Sequence, residues 1–266
     1  VTDSDRNALI RALYTSGPTY ENYVNAALSL EDVERAFFET YCARREIRIC
    51  DIGCGNGREA IALYEAGYRH VWPIDLVATM LAAARRNAAG RGADLPFVQA
   101  LAEALPFADG SFDVVILTCN MYGHITPRAS RVKTMREVAR VLKPGGLVFV
   151  TCTSRYHARR ARAGMWVLDV LRHLYNPQRA EPGDRPMSRW HNPSEGVGAR
   201  VLIHWFYPDE IPNEARQAGL EVVCSSTVAG FTRNPRANAR SWHGQGWLAY
   251  VLRRPAGSLS LSLLAR

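Results

Sequence analysis

The stretch Ile47-Arg48-Ile49-Cys50-Asp51-Ile52-Gly53-Cys54-Gly55-Asn56-Gly57 decides the fold. A short apolar run ends in an acid, three glycines follow at every second position, and a helical pattern opens behind them. A strand, a Gly-rich turn and a helix in that order bring backbone N–H groups close to a bound ligand. Glycine suits such a turn because a side chain would block the approach and because positive φ is cheap there. The spacing also excludes a reading. A nicotinamide or flavin fingerprint, G-x-G-x-x-G, needs glycine where this chain has Arg58.

Working outward, Val71-Trp-Pro-Ile-Asp75 is a second apolar run ending in an acid. It follows at about the 20-residue interval where a βαβ nucleotide fold places a ribose-binding carboxylate, whose two oxygens can accept both ribose hydroxyl protons. Leu76-Val-Ala-Thr-Met80-Leu81, Ala102-Glu103-Ala-Leu-Pro-Phe107, Asp109-Gly-Ser-Phe-Asp113 and Leu142-Lys-Pro-Gly-Gly146 come next. Taken in this order, the motifs resemble those of class I S-adenosylmethionine (SAM) dependent methyltransferases. The resemblance covers residues 45–155 closely and 200–254 loosely.

The resemblance implies a Rossmann-like α/β fold: a doubly wound, mostly parallel, seven-stranded sheet. The alternation of apolar runs agrees with it. Strands are expected near 47–52, 70–75, 96–99, 112–118, 146–152, 220–226 and 246–253. Helices are expected near 3–16, 30–43, 58–66, 78–90, 128–141 and 208–218. Pro212 is uncomfortable beyond a first turn, which argues for a later start to the last helix. Thr126 is read as the cap of the 128–141 helix, with Pro127 as its first residue. The expected organisation is an N-terminal helical lid (1–44), a SAM-binding core (45–154), a cap over the acceptor pocket (155–200), the rest of the core sheet (201–254) and a peripheral tail (255–266).

By resemblance, the cofactor is SAM. Asp51, Gly53, Cys54, Gly55, Asn56 and Gly57 hold its methionine end, with Asn120 near it. Asp75 holds the ribose, Leu76 and Met80 flank the adenine, and Ala102 offers a backbone N–H to the adenine edge. Plainer roles stay open: Asp51 as a turn residue, Met80 as core, Asp75 as a helix cap. The family carries an Asp where this chain has Leu101. That substitution removes a polar contact with adenine worth about 1–1.5 kcal/mol; Gln99 and Glu103 are the nearby residues able to replace it. His124, four residues after Asn120, suits a general base toward a hydroxyl or amine, because imidazole titrates near neutrality; its alternative role is to buttress the loop. Tyr20, Tyr23, Tyr122, Trp166, Trp190 and His204 are expected around the substrate.

The chain has 266 residues, 47% of them hydrophobic and 22% charged, ordinary for a globular domain. No apolar run reaches the ~20 residues that span a bilayer. Val1-Thr-Asp-Ser-Asp-Arg6 carries no signal-peptide pattern. Six cysteines without metal-ligand spacing favour a reducing cytoplasm, and no acidic cluster suggests a catalytic metal. The net charge of +8 admits an RNA partner. Lys133 and Lys143 are the only lysines, so the excess is nearly all Arg, as a GC-rich genome would also produce. The reading is a methyltransferase acting on an O or N atom of a small molecule, such as a biosynthetic metabolite, as a monomer or homodimer. Its alternatives are an RNA-modifying enzyme and a SAM-fold protein without methyl transfer.

Overall fold

The computed structural model describes residues 3–155, 171, 181–186, 201–239, 242 and 246–257. The elements in chain order are α1 (Asp3–Leu13), α2 (Gly17–Val24), α3 (Asp32–Tyr41), β1 (Arg48–Ile52), α4 (Arg58–Glu65), β2 (His70–Asp75), α5 (Ala78–Gly90), β3 (Val98–Gln99), β4 (Phe112–Leu117), a 3₁₀ turn (Met121–His124), α6 (Arg128–Val141), β5 (Leu142–Thr153), β6 (Asp184–Pro186), β7 (Leu202–His204), α7 (Glu210–Gln217), β8 (Glu221–Thr227), α8 (Val228–Arg233) and β9 (Trp247–Arg253).

The main sheet runs β3-β2-β1-β4-β5-β9-β8. Strands β1 to β5 pair in parallel. Only β9 is reversed, antiparallel to both β5 and β8. Apolar runs such as Phe112-Asp-Val-Val-Ile-Leu117 fit a sheet covered on both faces. Side chains alternate along a strand, so Val115 and Leu117 join Met135, Val138 and Ile211 on the α6/α7 side. Val114 and Ile116 join Phe37, Leu63 and Phe231 on the α3/α4/α8 side. Phe37 stacks on Phe149 at 4.4 Å between ring centres, locking α3 to the middle of β5. Strand order reverses between β1 and β4, and a doubly wound sheet opens its ligand crevice at that point, beyond the strand carboxyl ends.

Some boundaries differ from the sequence reading. The N-terminal helix ends at Leu13, because Thr15-Ser-Gly-Pro18 breaks it and starts α2. Pro127, not Thr126, is the N-cap of α6, and no side chain caps it. Helix α7 starts at Glu210, which puts Pro212 in the first turn, where no N–H is required. Strand β5 begins at Leu142, ahead of Gly146, because Lys143 Nζ reaches Asp113 at 2.8 Å and extends the pairing past a bulge. The antiparallel β6–β7 pair and α8 were not expected. Most of the expected cap, including Trp166 and Trp190, lies outside the described residues.

Candidate active site

Four of the five N–H groups of the Gly53–Gly57 turn are spent within the fold. Ile74 O accepts both the Gly53 N–H at 2.8 Å and the Cys54 N–H at 2.9 Å, and the Gly57 N–H reaches Cys54 O at 2.8 Å. The Gly55 N–H donates to Asp75 Oδ2 at 2.9 Å. For these four residues the expectation of N–H groups turned toward a ligand is corrected. The turn also presents acceptors. The Gly53 and Gly55 carbonyls take none of the described backbone bonds outside the regular ladders. Asp51 Oδ2 is buried without a hydrogen-bond partner. A pyrophosphate requires donors here, whereas a cation requires acceptors. Gly53 itself is obligatory: its φ is +79°, and an added Cβ would lie 2.2 Å from Met121 Cγ.

A cavity of about 420 Å³ opens over this turn. Of the residues expected around the cofactor, Gly53, Cys54, Gly55, Asn56, Asp75, Leu76, Met80, Ala102 and Glu103 line it, and Tyr23 and His124 line it too. Asp51, Gly57 and Asn120 are buried but do not line it. Asp75 keeps both oxygens on backbone donors, Gly55 N–H and Val77 N–H (2.8 Å), which leaves lone pairs for further hydroxyls. Burial raises the Asp75 pKa, partly countered by those N–H bonds.

The opposite wall comes from the N-terminal helices. Arg6 of α1 pairs with Glu103 and also donates to Thr126 O. Gln99 does not line the cavity; its amide goes to Leu76 O at 3.0 Å. Leu101 does line it. Asn56 Nδ2 donates to Ala26 O (3.0 Å) and Val24 O (3.3 Å), tying the end of α2 to the Gly-rich turn. Tyr14 Oη lies 3.3 Å from His124 Nε2, and its ring meets Tyr23 edge-on at 5.2 Å. Tyr14, Arg6 and Asn7 were missed in the sequence because no motif marks them; an amphipathic helix gives no sign of which partner it covers. Tyr20 does not line the cavity and packs against the Leu13, Met80 and Val201 cluster instead.

Two further expectations are corrected. Tyr122 is fully buried and donates to Glu214 Oε2 at 2.7 Å, in a core ion-pair cluster with Arg131. His204 is 1% exposed, with Nδ1 2.7 Å from Asp184 and Nε2 3.3 Å from Glu210. Both positions carry polar groups that are already satisfied, so neither faces a substrate. Asn120 adopts a left-handed φ of +61°, and its Oδ1 accepts the Thr153 N–H at 2.9 Å, which fixes the loop leaving β4.

At the other end of the cavity sits Arg58, the residue that broke the dinucleotide fingerprint. Its guanidinium meets both oxygens of Glu34 (2.6 and 2.8 Å), Glu59, Ser29 O (2.8 Å) and Cys119 Sγ (3.1 Å). Glu59 Oε1 also accepts from Thr118 Oγ1.

A sequence profile described as a methyltransferase domain matches residues 49–146. The cypemycin N-terminal methyltransferase of a Streptomyces species is 34% identical over 184 residues, 66% of this chain and 73% of that protein. A demethylmenaquinone methyltransferase of Thermus thermophilus is 40% identical over 104 residues, 39% of this chain and 46% of that protein. The chain spans between 36% and 46% of the length of several curated relatives it matches. A SAM-dependent methyltransferase structure from Methanosarcina mazei shares the fold, with a TM-score of 0.65, 21% identity and coverage of 86% of this chain and 99% of that one. The chain belongs to the class I SAM-dependent methyltransferase superfamily. The family's cofactor is SAM, a sulfonium amino acid joined to adenosine, and the acceptor-rich turn, the Asp75 carboxylate and the apolar slot of Leu76 and Met80 fit its three parts.

Proposed function

We propose that this protein transfers the methyl group of SAM to an O or N atom of a small molecule. The observation that carries this reading is the pairing of Tyr14 with His124 in the lining of the cavity that the Gly-rich turn also lines. Asp75 would hold the ribose hydroxyls. Asp51 and the Gly53–Gly57 turn, with Asn120 behind, would hold the methionine end. Leu76, Met80 and Ala102 would enclose the adenine. Bound SAM supplies an already activated methyl group. The protein's task is then to place the nucleophile in line and to exclude water. The N-terminal helices act as the lid that does so. His124 takes the proton from the acceptor's hydroxyl or amine as it is methylated. Tyr14 orients the imidazole, and Tyr23 adds an aromatic wall for the acceptor.

The named relatives act, by their names, on the N-terminus of cypemycin and on demethylmenaquinone. The first supports an amine acceptor. Among the described residues, no helix is long and apolar enough to cross a membrane. The cysteines are free thiols, five of the six buried, which supports a reducing, cytoplasmic setting. A second reading, an RNA acceptor, rests on the net charge of +8. Incubation with methyl-labelled SAM tests both. Label transferred to low-molecular-weight amines or phenols, with no steep loss at higher salt, supports the first. Label transferred only to RNA, falling steeply with salt, replaces it with the second.

A further inference from the structure

Three carboxylates converge beneath the methionine end of the cavity from three separate elements: Asp51 from β1, Glu34 from α3 and Glu59 from α4. Arg58 is the one guanidinium among them. Glu34 and Glu59 have side chains 2% and 7% exposed, and Asp51 is 1% exposed. The charges do not balance within the protein. Both terminal nitrogens of Arg58 are engaged, yet Asp51 Oδ2 has no partner, and Glu59 Oε2 takes none of the described hydrogen bonds while the residue lines the cavity. Buried carboxylates without a partner are costly. Arg58 already lies among Glu34, Glu59 and Cys119, so a further cation would have to come from the cavity side, where Glu59 is the one of the three carboxylates that lines it.

We propose that Asp51, Glu34 and Glu59, with Arg58 among them, form an anionic seat that distinguishes the methylated donor from its demethylated product by charge. This rests on the reading of the cavity as a SAM site. SAM carries one more positive charge than S-adenosylhomocysteine, at the sulfur, and loses it on methyl transfer. A low-dielectric seat with excess negative charge holds the cation more tightly than the neutral product. Turnover therefore weakens the grip on the spent cofactor without any conformational trigger. Glu34, which lies outside the Gly-rich motif, becomes a specificity-determining residue.

The seat also couples donor binding to a proton. Burial is the main cause that raises Glu34 to a pKa of about 7, against the opposing bond from Arg58. Glu59, Asp51, Arg58, Cys119 and the backbone N–H of Glu31 are the groups that face this cluster. Below pH 7 Glu34 holds a proton and the seat is less negative; above it Glu34 adds its charge, while burial, with Glu59 next in effect, also raises the pKa of Asp51.

Calorimetric affinities for SAM, S-adenosylhomocysteine and the amine analogue sinefungin, measured on the whole chain from pH 6 to 8.5, test this. SAM and sinefungin should tighten by about tenfold as pH rises through 7, while the neutral product changes by less than about twofold. Glu34→Gln should flatten that dependence, and Glu59→Gln should lower the preference for SAM over product by about tenfold. Product binding by each variant reports that it is folded. If SAM and product weaken in parallel in the variants and share one pH profile, the seat only positions the ligand and the inference fails, while the SAM site stands. If neither ligand binds the unaltered protein at any pH, the SAM site fails and the inference with it.

Discussion

Asp75, the last residue of β2, accepts the Gly55 N–H at 2.9 Å. The acid that ends one strand thus holds down the turn that leaves its neighbour, and the register Ile52↔Ile74 makes this contact unavoidable. The two acids picked out in the sequence, Asp51 and Asp75, therefore serve one structure. Asp51 lies behind the turn as a buried acceptor, and Asp75 lies beside it facing the cavity.

Asp75→Ala should weaken SAM binding by about 10- to 100-fold, the loss of charge-assisted hydrogen bonds worth about 1.5–3 kcal/mol. Calorimetry measures it. A change below about threefold would mean that the ribose lies elsewhere. Asp75→Asn keeps acceptor capacity and should fall between the two.

Gly53→Ala places a methyl into Met121 at a positive φ. Loss of thermal stability by about 1–3 kcal/mol is expected, from backbone strain together with overlap. Combining it with Met121→Ala should recover the overlap part and leave the strain. Full recovery in the double variant would show that the left-handed turn is not required.

His204 lies between Asp184 and Glu210. Burial disfavours its imidazolium, but the hydrogen bonds to the two carboxylates prevail and raise its pKa. The folded pKa exceeds the unfolded value of about 6.5. The cluster's stabilisation is therefore fully present below pH ~6.5 and is lost as pH rises through the folded value. Melting temperatures of the unaltered protein and His204→Gln should differ most at acidic pH and converge at alkaline pH. A constant difference would mean that the ring packs without a proton.

Tyr14→Phe removes the hydroxyl near His124 Nε2 and leaves the ring. Once an acceptor is known, it should shift the acid limb of the kcat profile with little change in the KM for SAM, and His124→Gln should lower kcat by about 10²- to 10⁴-fold. If His124→Gln retains full kcat, the imidazole only supports the loop.

The sheet was legible because its strands are continuous apolar runs ended by acids or glycines, as in Ile47–Ile52 and Val71–Asp75. Residues that line the cavity were legible where a motif on the sheet carries them, as at Gly53–Asn56, Asp75 and Ala102. The roof was not. Tyr14 and Arg6 reach the cavity through tertiary packing that no local pattern encodes, and Arg58 was informative only as a missing glycine. Tyr122 and His204 misled for a related reason. An aromatic or imidazole next to a site motif looks functional until its buried partners, Glu214 in one case and Asp184 and Glu210 in the other, are seen.

A crystal structure with S-adenosylhomocysteine bears most directly on the account. The nucleoside should lie between Leu76 and Met80 with both ribose hydroxyls on Asp75, and the amino-acid end should rest over Gly53 and Gly55. Density for the ligand at another place, or a phosphate-bearing nucleotide taking that turn in its stead, would contradict the account.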